Sequence, residues 1–441
     1  PREPNSPREP NSPREPNSPR EPNSPREPNS WLPQPATLKI PEGISLTDGL
    51  SEDEAVAIAL WNNQALQSDL AQLGLAQADL IDAGLLRNPT LQVLLPLGFK
   101  QFEMLANLPS EVLWQRKRRV AAAKLEYDRV AKGLEQSGLN LVRDVRVAYA
   151  NLASAQGRKL LADEAVRLRG EIARLTRARL SLGDISELEA NASQVDRVLA
   201  EEQAARLTHD VEFTRARLMA LMGEVTETRV VQIKPFETNS IAAIPASLHS
   251  TNNSLATVPI EEMMKDAFDH RPDLRAAELA IEAAAGRAKW ERSRLFTFAS
   301  LLSIKQGEGL NFSPRPGFMA ELPVFHRNKG GIAKADAEVE RAGKQYLAVR
   351  QQIAIDVREA VTQWRQAGNA LEIYRTRLLP QAEIGVKLAE QRYRNGEESY
   401  LFVMETTRQL IDARMREIEL IADVYRAAAQ VERSIGRKRE K

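Results

Sequence analysis

The sequence predicts a mainly α-helical fold with a small β part: two tandem repeats of long coiled-coil helices, carrying two β-hairpins between them. Three observations point there. Matching segments recur about 210 residues apart, apolar residues keep heptad spacing along very long stretches, and two short regions switch to an apolar period of two. Composition agrees, since 43% hydrophobic residues with only 5% aromatic ones favour long helices.

The repeat fixes the order of the elements. "ALWNNQAL" (59–66) is answered 208 residues later by "AFDHRPDL" (267–274), and "DVRVA" (144–148) by "DVREA" (356–360) after 212. "RLSLGDISELE" (179–189) returns as "RYRNGEESYLF" (392–402), and "LMALMG" (218–223) as "VERSIG" (431–436), both after 213. Each copy therefore reads the same way. A helix (about 52–86 and 260–293) leads to a β-like region (about 89–109 and 295–325). A very long helix follows (about 115–182 and 328–395), then a Gly-centred break, then a last helix (about 185–222 and 398–436). The boundaries that result are a first repeat over 51–223 and a second over 259–437, joined by a polar linker or equatorial element at 224–258. Residues 31–50 form an extended lead-in and 438–441 a tail. Five copies of "PREPNS" (1–30) make a Pro-rich, net-neutral tract that is expected to be disordered.

The long helices carry seams. Val130, Leu134, Leu141, Val145, Ala148 and Leu152 mark one, and Ile353, Val357, Ala360, Trp364, Ala367, Leu371, Tyr374 and Leu378 the other. Steps of three and four imply left-handed coiled-coil packing. Pro380 lies inside the second seam helix and is expected to kink or bulge it. Gly183 and Gly396 occupy equivalent breaks, so each reads as a hairpin tip between descending and returning helices. Glycine supplies the positive φ of such a reversal. Asp184 or Ser186, and Ser399, are placed to cap the returning helices through their side chains.

In the β-like regions Leu91, Val93, Leu95, Leu97 and Phe99 share one face, as do Phe102, Met104, Ala106 and Leu108. Phe296, Phe298, Leu302 and Ile304 alternate likewise, then Phe318, Ala320, Leu322 and Val324 beyond a Gly/Pro-rich loop at 307–317. A closed membrane barrel needs about eight strands or more, and an open sheet edge cannot face lipid. Four strands therefore span a membrane only if several chains each contribute four.

Other classes are excluded or unsupported. With no cysteine there are no disulfides, thiolate metal sites or cysteine nucleophiles. A net charge of +1 gives no electrostatic argument for nucleic acid. No phosphate loop, nucleophile elbow or paired-carboxylate constellation marks an enzyme. No cofactor is implied, and His209, His249, His270 and His326 lack ligand spacing for a metal. No run of about 18 apolar residues predicts a membrane-spanning helix.

Two β-hairpins set into tandem copies of long coiled-coil helices resemble the TolC family of outer-membrane efflux channels. Local segments agree in order: "RNPTL" (87–91) before the first strand, "LPSEVLWQRKRRVAAA" (108–123) and "LPVFHRNKGGIAKA" (322–335) at the strand-to-helix returns, the two tips, and "LLPQAE" (378–383). The resemblance covers about residues 45–437 and implies a homotrimer, with twelve strands closing one β-barrel in the outer-membrane lipid and twelve helices forming a periplasmic α-barrel. It further implies the exit duct of a tripartite efflux or secretion system, docked at its tips to a periplasmic adaptor that links it to an inner-membrane pump. "LPVFHRN" leans toward members paired with resistance-nodulation-division pumps.

Carried onto this chain, the docking tips are Leu182, Gly183, Asp184, Ser186 and Leu188, with Arg394, Asn395, Gly396, Ser399 and Leu401. The family's two acidic entrance positions fall on Phe402 and Glu405, so one of the two acids is retained. Arg116, Lys117, Arg118 and Arg119 form either a solvated basic face or a membrane-boundary cluster facing anionic head groups. The competing reading is a soluble coiled-coil scaffold whose hairpins are dimerisation elements. The hairpin faces discriminate: an apolar outward face fits a barrel, a polar one the scaffold.

Overall fold

The repeat seen in the sequence is also present in three dimensions. The computed structural model describes residues 38–44, 49–86, 88–95, 102–108, 112–224, 233–234, 259–293, 297–306, 312–321, 327–395 and 397–436. The PREPNS tract, most of the 224–258 linker, Gly396, His326 and the 438–441 tail lie outside them. In the first copy, α1 (Glu52–Asn62) and α2 (Gln64–Gly84) precede β1 (Thr90–Leu94) and β2 (Glu103–Leu108), followed by α3 (Val112–Leu182) and α4 (Glu187–Leu221). In the second, α5 (Ile260–His270) and α6 (Pro272–Ser293) precede β3 (Thr297–Gln306) and β4 (Phe312–Glu321). Then come α7 (Lys329–Ile373), a π-helical turn (Tyr374–Leu378), α8 (Leu379–Arg394) and α9 (Tyr400–Ile435).

The opening helix of each copy is broken in two, where the sequence pattern suggested one continuous helix. Asn63 ends α1 and caps α2, its Oδ1 accepting from the Ala65 and Leu66 N–H groups at 3.1 Å each. At the matching position Arg271 ends α5, and Pro272 starts α6, where a missing N–H costs nothing. Both junctions receive the end of their own repeat. Asn63 Nδ2 donates to the Leu221 carbonyl at 2.9 Å, and Arg271 Nη1 to the Ser434 carbonyl at 3.4 Å. Gly223 (φ +86°) and Gly436 (φ +84°) then press so close that a Cβ would lie 2.5 Å from the Asn62 carbonyl oxygen and 2.9 Å from Arg271 Cα. Apolar periodicity carries no signal for such a break, because the apolar stripe continues across it.

Below these junctions the seams pack as coiled coils. Leu141, Val145, Ala148 and Leu152 are buried on α3, and Ile353, Val357, Ala360, Ala367 and Leu371 on α7. Val130, Leu134 and Trp364 are half-buried. The bulge expected at Pro380 is the π-helical turn just before it. Leu379 N–H reaches back five residues to the Tyr374 carbonyl, which absorbs the donor that proline lacks. The short parallel bridge Leu50–Ile233 brings a piece of the linker into the first core, where the Tyr149 hydroxyl donates to the Leu50 or Lys234 carbonyl, 3.0 Å from each. Burial there pushes the Tyr149 hydroxyl above its usual range.

The repeats are also tied by charge. Arg146 on α3 pairs with Glu52 at 3.2 Å and with Glu432 of α9. Arg433 Nε donates to Asn140 at 2.9 Å. Side by side the long helices run α4–α3–α9–α8, so α4 and α8 form the two open edges of the row. Those edges keep apolar residues exposed: Val195, Leu199 and Phe213 on α4, Ile384 and Leu388 on α8.

The four strands make one antiparallel sheet in the order β1-β2-β3-β4. One expectation is corrected here. The stretch 307–317 is not all loop, because β4 begins at Phe312 and runs through Pro314 and Pro316. β4 is an edge strand, and an edge tolerates proline where its ring nitrogen points away from the neighbour.

Candidate functional site

The sheet register joins the four separate alternations into one surface. Pairing Val93 with Met104, Met104 with Ile304, and Ile304 with Pro314 places those residues on the same face. The next row on that face is Leu91, Ala106, Leu302 and Pro316, and Leu108, Ser300 and Phe318 follow. Ser300 is the lone polar side chain among the described ones there. The opposite face is mixed: Gln92, Glu103, Asn107, Ser303, Lys305, Ser313 and Arg315 share it with Leu94, Leu105, Leu301 and Met319. Lys305 and Glu103 pair across it at 3.1 Å, and Ser303 Oγ donates to Glu103 at 3.3 Å. One nearly all-apolar face, backed by a face that gathers the sheet's charged and hydrogen-bonded side chains, fits a barrel wall between lipid and water. Among the described residues no helix is long and apolar enough to cross a membrane.

A direct consequence is testable. Leu302→Arg puts a charge on the apolar face and is expected to cost about 2–4 kcal/mol at membrane mid-depth, and so to deplete folded protein from the outer membrane. Ser303→Arg, one residue along on the opposite face, is expected to leave that yield unchanged. Fractionation and blotting of both variants check the contrast.

At the far end of the helices the chain reverses. α3 ends at Leu182, and Gly183 takes φ +78°. Gly183 N–H donates to the Leu180 carbonyl and Asp184 N–H to the Arg179 carbonyl, both at 3.0 Å, the bond pair of a Schellman stop. Ser186 then caps α4 in a reciprocal box: its Oγ accepts from Glu189 N–H at 3.3 Å and its N–H donates to the Glu189 carboxylate at 3.4 Å. Asp184 plays no part in that cap. Leu182 and Leu188 stand about three-quarters exposed.

At the second reversal Glu397 N–H donates to the Arg392 carbonyl at 2.9 Å, as Asp184 N–H does to Arg179 at the first. The second cap differs. Ser399 sits at the N-cap with extended backbone (φ −76°, ψ 152°) but its side chain accepts no capping bond, contrary to the expectation from sequence. The reason lies three residues on. Phe402 N–H bonds the Ser399 carbonyl at 3.1 Å rather than its hydroxyl, and where Ser186 has Glu189 to return a bond to the cap N–H, Phe402 has only a phenyl ring.

Glu405, one turn beyond Phe402, accepts from Arg408 Nη2 at 2.9 Å and from Gln409 at 3.1 Å. The hydrogen bonds from Arg408 and then Gln409 hold its carboxyl below the usual range. A groove between α4 and α9 brings Leu188, Val195 and Leu199 opposite Leu401, Met404 and Glu405. Just above the first tip, Thr176 and Ser193 share a buried hydroxyl contact of 2.6 Å. Arg169 pairs with Asp196 at 3.3 Å, closing α3 on α4. The Arg179 guanidinium lies 5.3 Å from the centre of the Tyr393 ring and so links the two tips. Periodicity alone does not reveal these cross-helix contacts, since each joins polar residues that look solvated in sequence.

The basic run at the start of α3 is partly structural. Arg116 Nε donates to the Gly84 carbonyl at 2.7 Å, and Arg119 reaches the Ala83 and Leu85 carbonyls at 2.9 and 2.6 Å. The last turn of α2 has no basic residue of its own, so these arginines satisfy its orphan carbonyls. Lys117 and Arg118 remain exposed.

Comparison with known proteins gives this geometry a family. Residues 263–437, essentially the whole second repeat, match the family described as outer membrane efflux protein. The match falls on the same elements that the first repeat duplicates. Residues 263–437 thus form an outer membrane efflux protein domain. It is 24% identical over 395 residues to the cobalt-zinc-cadmium resistance protein CzcC of Cupriavidus metallidurans, covering 87% of this chain and 90% of that one. Identity to the nickel-cobalt-cadmium resistance protein NccC of Alcaligenes xylosoxydans xylosoxydans is 27%, over 58% of this chain and 54% of the relative. The fold superposes on a CusC crystal structure with a TM-score of 0.73 at 17% identity, covering 93% of this chain and 99% of that one. For the outer membrane protein VceC of Vibrio cholerae the TM-score is 0.70 at 17% identity, covering 87% and 96%. This outer membrane efflux protein is thus an exit duct of a tripartite efflux system, a transporter and not an enzyme, with its helical barrel in the periplasm. It works with an adaptor and an inner-membrane pump.

Proposed function

We propose that three copies of the chain form a duct that carries divalent metal cations out of the cell, supplied by a pump of the resistance-nodulation-division type. The observation that supports this cargo is the match to a cobalt-zinc-cadmium resistance protein along nine-tenths of that relative's length. Twelve strands from three protomers close the barrel that four cannot. The lipid-facing surface is the apolar face through Leu302 and Ile304. Lys117 and Arg118 are left to meet head groups at the periplasmic boundary, while Arg116 and Arg119 hold α2.

In this reading the adaptor docks on the exposed tips, Leu182, Gly183, Asp184, Ser186 and Leu188 with Arg394, Asn395, Gly396, Ser399 and Leu401. Phe402 and Glu405 form the periplasmic entrance. Three phenyl rings replace one of the two acid rings, and Glu405 is drawn toward Arg408, so the entrance attracts cations only weakly. Phe402→Glu is expected to restore the missing capping box at Ser399, adding about 1 kcal/mol of local helix stability. It also adds a ring of charge, so conductance in planar bilayers is expected to become sensitive to block by multivalent cations. Unchanged sensitivity would place Phe402 away from the pore.

The cargo is tested by growth. A strain lacking its own metal-efflux duct, supplied with this chain and a matching adaptor and pump, is expected to regain tolerance to cobalt, zinc and cadmium salts. Tolerance regained to an organic solvent and not to these metals would reject the metal reading.

A further inference from the structure

The two prolines of β4 have a definite orientation. Pro314 pairs with Ile304 and Pro316 with Leu302 in the register with β3. A proline has no N–H, so these pairs are the non-hydrogen-bonded kind, and the ladder bonds to β3 run through Ser313, Arg315 and Gly317. Backbone nitrogens two residues apart point the same way along a strand. The ring nitrogens of Pro314 and Pro316 therefore face the free edge of the sheet. β4 offers that edge donors at 312, 318 and 320, with a gap of two in the middle. The inner strands contain no proline: β2 reads EMLANL and β3 reads TFASLLSIKQ.

A four-stranded sheet has two open edges, β1 and β4. Neither can stay open in lipid. In a ring of copies the strand that meets β4 is β1 of the next protomer, antiparallel, as every neighbouring pair in the sheet already is. We propose that the β4–β1 seam between copies of this chain is the weak line of the barrel, because Pro314 and Pro316 remove two adjacent outward donors from it. This rests on the trimeric reading above. Carbonyls of the facing β1 strand receive no N–H across the gap, so each seam holds fewer backbone bonds per residue than the ladders inside a protomer. Heat or detergent then separates the trimer along its three seams before any protomer's own sheet unravels. The same gap blunts the edge of an unassembled protomer, as proline does on exposed strands generally.

The test uses the full chain, purified from outer membranes in mild detergent. Particle mass is measured first, and the temperature at which SDS-resistant trimer gives way to monomer second. Pro314→Val combined with Pro316→Thr restores both donors and is expected to raise that temperature by roughly 5 °C or more. Ala320→Pro removes a third outward donor and is expected to lower it, while circular dichroism of the unheated trimer stays at the wild-type value. A dissociation temperature unmoved by both variants would overturn the weak seam. A wild-type particle that is monomeric before heating would overturn the trimeric reading itself, and the seam with it.

Discussion

Methionine at Arg271 is expected to cost the protein about 3–5 kcal/mol, the usual penalty for removing one partner of a buried ionic cluster. Arg271 is 3% exposed. Its Nε and Nη2 grip Asp273 at 3.0 and 2.5 Å, and its Nη1 reaches Asp356 at 3.0 Å. Asp356 also holds Arg433, and through it the end of α9. Without the guanidinium two carboxylates each lose a charged donor at the point where α5, α6, α7 and α9 converge, and the Ser434 carbonyl loses a bond. Burial pushes Asp356 up, but hydrogen bonds from Gln352, Arg271 and Arg433 outweigh it and hold the carboxyl below its ordinary value. A depressed carboxylate stabilises above its unfolded value, about 4, and that contribution is lost as pH falls through the folded value. The difference between wild type and Arg271→Met is therefore expected to be full at neutral pH and to shrink below about pH 4. Urea midpoints at pH 7 and pH 3 measure it; a constant difference would mean that Asp356 is not the partner that matters.

The second large effect is on transport. Gly183→Pro is expected to abolish export while leaving trimer yield unchanged. Proline fixes φ near −65°, against +78° at Gly183, and it removes the N–H that bonds Leu180. The stop of α3 is lost at a local cost of about 3 kcal/mol, and the Ser186 cap no longer meets α4 in place. The lesion lies at the opposite end of α3, a 71-residue helix, from the sheet, about 105 Å away at 1.5 Å per residue. Gly183→Ala makes the useful contrast. No atom lies within 4 Å of the added Cβ, so its only cost is the positive φ, about 1 kcal/mol, and export is expected to survive. Metal tolerance and membrane trimer are read side by side. Normal tolerance in the proline variant would remove the tips from the transport mechanism.

What was legible in the sequence is what repeats or has a period. Heptad spacing marked Val145, Leu152, Ile353 and Val357 as core, and alternation marked the strands, because burial on one side leaves a regular trace. Proline at 380 announced a local bulge for the same reason: its chemistry has few outcomes. Features that depend on residues far apart left no such trace. The helix breaks rest on a capping Asn63 and on Pro272 after Arg271, which the uninterrupted apolar stripe masks, and the ends of α4 and α9 that arrive against them leave no local trace. Pro314 and Pro316 normally mark loops, which hides the first half of β4 from its sequence, and only the edge position of the strand makes them tolerable. The reciprocal half of the capping box, absent at Ser399, follows from Phe402 standing where Ser186 has Glu189, a comparison that the aligned repeats already contained. Arg116 and Arg119 read as surface charge, yet they spend it on the carbonyls of a neighbouring helix.

The central claim is that the apolar face of one sheet becomes a lipid-facing barrel wall only when copies of the chain join. The mass of the particle extracted from membranes in mild detergent, corrected for bound detergent, tests it most directly. Three chains of 49.2 kDa are predicted, absent from the aqueous fraction until detergent is added. A soluble monomer or dimer recovered without detergent would contradict it.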